Sequence, residues 1–83
     1  MKKFNRMIID QDEYPSRGAY LEINDGLEVE LANHSISEHL IRLMHERTFI
    51  QSIRFQGGDA DDVYEGEFMI TRTDGNTITL KKV

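Results

Sequence analysis

Along residues 19 to 31, Ala19, Leu21 and Ile23 alternate with Tyr20, Glu22 and Asn24. Beyond Asp25-Gly26, Leu27, Val29 and Leu31 alternate with Glu28 and Glu30. A period of two marks a strand with one buried face, and Asp-Gly between two such runs marks a hairpin. Residues opposite one another in an antiparallel pair share a face. A two-residue Asp25-Gly26 loop would therefore set Ile23 opposite Glu28 and Leu21 opposite Glu30, mixing core with solvent. A three-residue loop of Asn24, Asp25 and left-handed Gly26 instead pairs Ile23 with Leu27, Leu21 with Val29 and Ala19 with Leu31, and is the register we expect. Its outer face carries Tyr20, Glu22, Glu28 and Glu30, with Glu22 directly opposite Glu28.

The period then changes. Ile36, Leu40, Ile41, Leu43 and Met44 fall within an arc of roughly 160° on a helical wheel, with Glu38, His39, Arg42, His45 and Glu46 on the other side. This predicts a helix over about residues 36 to 47, entered through a capping box of Ser35 and Glu38, with Asn33 as another candidate cap. Residues 3 to 9 read as a short strand and residues 10 to 18 as a polar loop punctuated by Pro15 and Gly18. Residues 48 to 55 predict a strand with Phe49, Ile53 and Phe55 on one side, followed by a glycine-rich acidic loop from 56 to 62. A strand over 63 to 73 buries Tyr64, Phe68 and Ile70. A three-residue loop of Asp74, Gly75 and Asn76 would pair Ile70 with Leu80, Thr71 with Thr79 and Thr73 with Thr77. The fold class expected is α+β: a curled antiparallel sheet of five to six strands in the order β-ββ-α-β-ββ, with the helix on its inner face.

Eighty-three residues make one domain spanning 1 to 83, without internal repeat or linker. No cysteine is present, which removes disulfides, thiolate nucleophiles and cysteine-rich zinc sites and points to a reducing, cytoplasmic setting. Lys2, Lys3 and Arg6 begin like the basic region of a signal peptide. The apolar run after them ends at Asp10, so neither a signal nor a membrane span is expected.

Charge separates along the chain. Lys2, Lys3 and Arg6 lie at one end and Lys81 and Lys82 at the other. Residues 7 to 80 hold all fifteen acids against five arginines, a formal charge of −10. Affinity for nucleic acid comes chiefly from lysine and arginine neutralising phosphates, so the body of the chain opposes direct nucleic-acid binding and suits a basic partner.

Candidate chemistry is sparse. His39 and His45 are six residues apart and cannot form an i, i+4 ligand pair, and His34 precedes the predicted helix. Asp59, Asp61 and Asp62 follow Gly57-Gly58, but the remaining ligands of a calcium loop are missing and the aspartates would repel phosphate. Ser16, Ser35, Ser37 and Ser52 lie in no nucleophile context. Glu65 and Glu67 share a strand face without a catalytic partner. No enzyme activity, metal or cofactor is expected.

The expected function is that of a small acidic protein-binding module, an adaptor or inhibitor that docks on a larger protein with a basic, nucleic-acid-handling surface. Phage-encoded inhibitors of host defence offer an analogy of size and charge alone. The docking residues are Glu22, Glu28 and Glu30 of the first hairpin, Asp59, Asp61, Asp62, Glu65 and Glu67 later in the chain, and Tyr20 and Tyr64 as aromatic anchors. Two alternatives differ in class. The basic terminal strands, with Phe4 for base stacking, would bind single-stranded nucleic acid if they were neighbours. Alternatively, an edge strand would pair with a second copy in a structural or assembly homodimer.

Overall fold

The computed structural model describes residues 1–83. Eight strands and one helix follow in the order β1 (Lys2–Phe4), β2 (Arg6–Ile9), β3 (Asp12–Tyr14), β4 (Gly18–Ile23), β5 (Gly26–Leu31), α1 (His34–His45), β6 (Ile50–Gly57), β7 (Ala60–Asp74) and β8 (Thr77–Lys82). The α+β class is as expected, but there are eight strands where five to six were expected. All eight join one antiparallel sheet in the order β1-β4-β5-β8-β7-β6-β2-β3.

Two of the additional elements come from the N-terminal region. The strand expected over 3 to 9 breaks at Asn5, so that β1 pairs with β4 while β2 pairs with β6. Asp12–Tyr14, in the expected loop, forms β3 because Tyr14 pairs with Met7 and buries its ring. The sheet curls until β1 meets the turn between β6 and β7. There the Asn5 N–H donates to Gln56 O at 2.9 Å and the Asp59 N–H donates to Lys3 O at 2.9 Å, but the sheet does not close.

The curl has local causes. Gln51 faces two residues of β7, Gly66 and Glu67, where the register slips between Ile50–Phe68 and Ser52–Glu65, and Gly66 takes φ +141. A second slip at Thr71 lies between Ile70–Leu80 and Arg72–Thr79. Each bulge bends its strand and changes which residues face inward. Across from the β7 bulge, at Gln51, Ile50 is buried and Phe49 exposed, so Phe49 does not share the face of Ile53 and Phe55. The Asp10 carboxylate stabilises this bulge by accepting from the N–H groups of Gln51 (2.9 Å) and Ser52 (3.1 Å).

Both hairpins depart from the expected register. In the first, the turn residues are Asn24 and left-handed Asp25, and Tyr20 pairs with Val29, Leu21 with Glu28 and Glu22 with Leu27. Tyr20 is therefore buried, Leu21 is exposed, and Glu22 and Glu28 lie on opposite faces. Gly26 is a strand residue, and glycine is required there because an added Cβ would run into the Leu80 carbonyl of β8. In the second hairpin Ile70 pairs with Leu80 as expected. The bulge then sets Arg72 opposite Thr79 and Asp74 opposite Thr77, around a two-residue Gly75-Asn76 turn. The expected 56-to-62 loop is also a tight turn, at Gly58-Asp59.

The helix starts and ends two residues earlier than expected. Asn33, not Ser35, is its N-cap, and its side chain accepts from the Ser35 N–H at 3.0 Å. At the other end the Thr48 N–H reaches Leu43 O and the Arg47 N–H reaches Met44 O, with Arg47 left-handed at φ +53. Leu40 enters the inner face of the sheet among Met7, Ile9, Val29, Ile53, Ile70, Ile78 and Leu80. The Tyr14 hydroxyl meets His39 Nδ1 at 3.0 Å, which ties the helix to β3.

Candidate protein-binding site

At the end of the inner face away from Leu40 the aliphatic core gives way to aromatic rings. Tyr20 stacks on Phe55 with centroids 4.0 Å apart and planes inclined by 10°. Phe4 leans against Phe55 at 4.9 Å, and Tyr64 meets Tyr20 edge-on at 5.9 Å. Burying these rings accounts for the register of the first hairpin, since Tyr20 offers more apolar area than the Ala19 that alternation would place inside. The Tyr20 hydroxyl is buried and no protein group hydrogen-bonds to it.

Polar groups form a rim around this aromatic floor. The Tyr64 hydroxyl donates to Glu22 Oε1 at 2.6 Å, joining β7 to β4 across 42 positions of sequence. Lys2 Nζ pairs with Asp62 Oδ2 at 2.9 Å. Burial, the hydrogen bond to Glu22 and the negative charges of Glu22 and Asp62, in that order, raise the Tyr64 pKa well above that of an ordinary tyrosine. Two open depressions flank the Tyr64–Glu22 contact. One, of about 460 Å³, is lined by Met1, Lys2, Tyr20, Leu21, Glu22 and Tyr64. The other, of about 310 Å³, includes Asp25, Glu65, Phe68 and Lys82 beside Glu22 and Tyr64.

Of the residues expected to form the docking surface, Glu22, Asp62, Tyr64 and Glu65 come together at this rim. Tyr20 lies beneath them, buried to 2% exposure, and is floor rather than anchor. The other carboxylates do not join. Glu28 and Glu30 occupy the outer face of β5, opposite Thr79 and Thr77 of β8. Asp59 sits in the β6–β7 turn, Asp61 faces outward opposite Gln56, and Glu67 lies in the β7 bulge, where its carbonyl accepts from the Val83 N–H. The acids therefore do not form one continuous surface. Arg6–Glu13 and Arg72–Asp74 ion pairs, at 2.8 and 3.7 Å, neutralise others locally. Several contributors to the rim escape the sequence argument. Met1, Asp25, Phe68 and Lys82 line its depressions. Lys2 reaches it through a pairing 60 positions distant, and Leu21, 43% exposed, lies outside the core that alternation predicts for it.

The same geometry bears on the alternatives. β1 and β8 are separated by β4 and β5, so the terminal lysines do not assemble into one basic strand pair, and Phe4 is 1% exposed and cannot stack on a base. The edge strands β1 and β3 have three residues each. The Lys3 carbonyl of β1 is already engaged by Asp59, and Pro15 follows β3. Short, interrupted edges of this kind oppose strand addition. No group of three His, Asp or Glu side chains is placed to hold a metal ion, and no helix is long and apolar enough to cross a membrane. Comparison with known protein families, curated proteins and solved structures finds no match to this chain.

Proposed function

We propose that this chain is a small, acidic, non-enzymatic protein-binding module, an adaptor or inhibitor that docks on a basic surface of a larger protein. The carrying observation is the meeting of Glu22, Asp62 and Tyr64 from β4 and β7 over an aromatic floor, with Glu65 beside them. The floor is packed and fixes Tyr64, Tyr64 fixes the Glu22 carboxylate, and a charge held in place discriminates between partners better than one on a mobile side chain. The outward Glu28 and Glu30 add long-range attraction for a basic body without forming the contact. A basic protein that handles nucleic acid is the partner class this charge fits, and a reducing cytoplasmic setting accords with the absence of cysteine.

Capture of basic partners from lysate at increasing ionic strength tests the reading, comparing the native chain with a Glu22→Gln, Asp62→Asn, Glu65→Gln variant. The native chain retains a basic protein that elutes as salt rises, and the triple variant does not. Equal capture by both chains, or capture of nucleic acid with no protein, refutes docking through this rim.

A further inference from the structure

The larger rim depression is lined by four apolar or aromatic residues, Met1, Tyr20, Leu21 and Tyr64, and by two charged ones, Lys2 and Glu22. The charges are not equivalent. Lys2 is paired with Asp62 at 2.9 Å, whereas Glu22 makes no ion pair and its only side-chain partner is the neutral Tyr64 hydroxyl. The register sets Leu21 on the outer side of β4 and Glu22 on the inner side, so the depression straddles the strand edge, with exposed aliphatic surface from Leu21 and Met1 on its rim and one oriented carboxylate without an ion-pair partner across from it.

We infer that this depression takes the side chain of a single arginine from the docking partner, an inference that rests on the protein-binding reading above. The aliphatic stem lies along Leu21 and Met1, and the guanidinium faces Glu22. A carboxylate keeps accepting capacity after one hydroxyl bond, so a planar fork of N–H donors can still engage it. The guanidinium is also more weakly hydrated than an ammonium and packs against aromatic rings, here that of Tyr64, which favours arginine over lysine. An anion would meet the repulsion of Glu22, and one free carboxylate is too few ligands for a metal ion.

The test is an NMR titration of the isotope-labelled chain with N-acetyl-arginine methylamide, run beside the matching lysine and citrulline compounds. Shifts confined to the amides of Lys2, Leu21, Glu22 and Tyr64, weaker with lysine and absent with neutral citrulline, support the site. Glu22→Gln, which keeps an acceptor for Tyr64 and lies on the exposed rim, weakens the arginine response about tenfold. Leu21→Ser, which changes only the apolar wall, weakens it severalfold. An equal response to lysine, dispersed shifts, no shifts, or indifference to Glu22→Gln overturns the inference. Glu65→Gln separates the two readings: it weakens salt-dependent capture of a protein partner but leaves the arginine titration unchanged. Loss of the arginine response with charge-dependent capture intact therefore refutes the arginine site alone. A specific arginine response without charge-dependent capture refutes the docking reading alone.

Discussion

The two ends of the inner sheet face are filled by different chemistry. Around Leu40 the interior is aliphatic, built from Met7, Ile9, Val29, Ile53, Ile70, Ile78 and Leu80, and α1 covers it. Around Tyr20 it is aromatic, and no helix covers it. Leu40 and the seven side chains around it are all apolar and leave no room for a water, so their contribution is stability. The aromatic end carries hydroxyls on rigid rings, and one of them, on Tyr64, emerges beside Glu22. The docking we propose uses the second end, while the first holds the fold.

Cutting into the aliphatic end should have the largest effect. Leu40→Ala removes a side chain that is 1% exposed and should cost about 3 kcal/mol, a large part of what a domain of this size possesses, read as a lower urea midpoint. Asn33→Ala, at the N-terminus of the covering helix, removes the acceptor for the Ser35 N–H and should cost about 1 kcal/mol in the same measurement.

At the aromatic end effects should be smaller and should depend on pH. The Tyr64 hydroxyl ionises less readily in the folded chain than in the unfolded chain, whose value is near 10.0. Above that pH the unfolded state releases its proton first. The stabilisation is therefore complete below pH 10 and declines as pH rises further. Tyr14, raised by burial and then by Asp12 and Asp10, adds a decline of the same sign from outside the aromatic end, since it lies on β3 beside α1. Tyr64→Phe should cost under about 1 kcal/mol at neutral pH and should flatten the alkaline decline measured by denaturation at several pH values. Tyr20→Phe removes a buried hydroxyl that has no protein partner and should leave stability unchanged or raise it by up to about 1 kcal/mol. A loss with Tyr20→Phe as large as that with Leu40→Ala would erase the distinction between the two ends.

The helix, the two Asp-Gly hairpins and the strands around them were legible because periodicity and turn chemistry are local. Register was not. Which of Ala19, Leu21 and Ile23 or Tyr20 and Glu22 faces inward depends on Phe55 and Tyr64, residues more than thirty positions away that stack around Tyr20. The phase of β6 depends on the β7 bulge opposite Gln51, where Asp10 binds the backbone of β6. β3 has the composition of a loop and is a strand only because Met7 and Tyr14 pair. Composition named Glu22, Asp62, Tyr64 and Glu65, which the structure places at one rim. It could not separate them from Glu28, Glu30, Asp59, Asp61 and Glu67, because the face each occupies follows from the register.

The break at Asn5 divides one short peptide between distant partners: Lys2–Phe4 joins β4, and Arg6–Ile9 joins β6. The first nine residues thus act as a clasp between the two wings of the sheet, and neither wing can keep its inner surface dry once the clasp opens. Unfolding should accordingly be a single cooperative event, with amides of β4 and β6 exchanging their hydrogens together although 26 residues lie between the two strands.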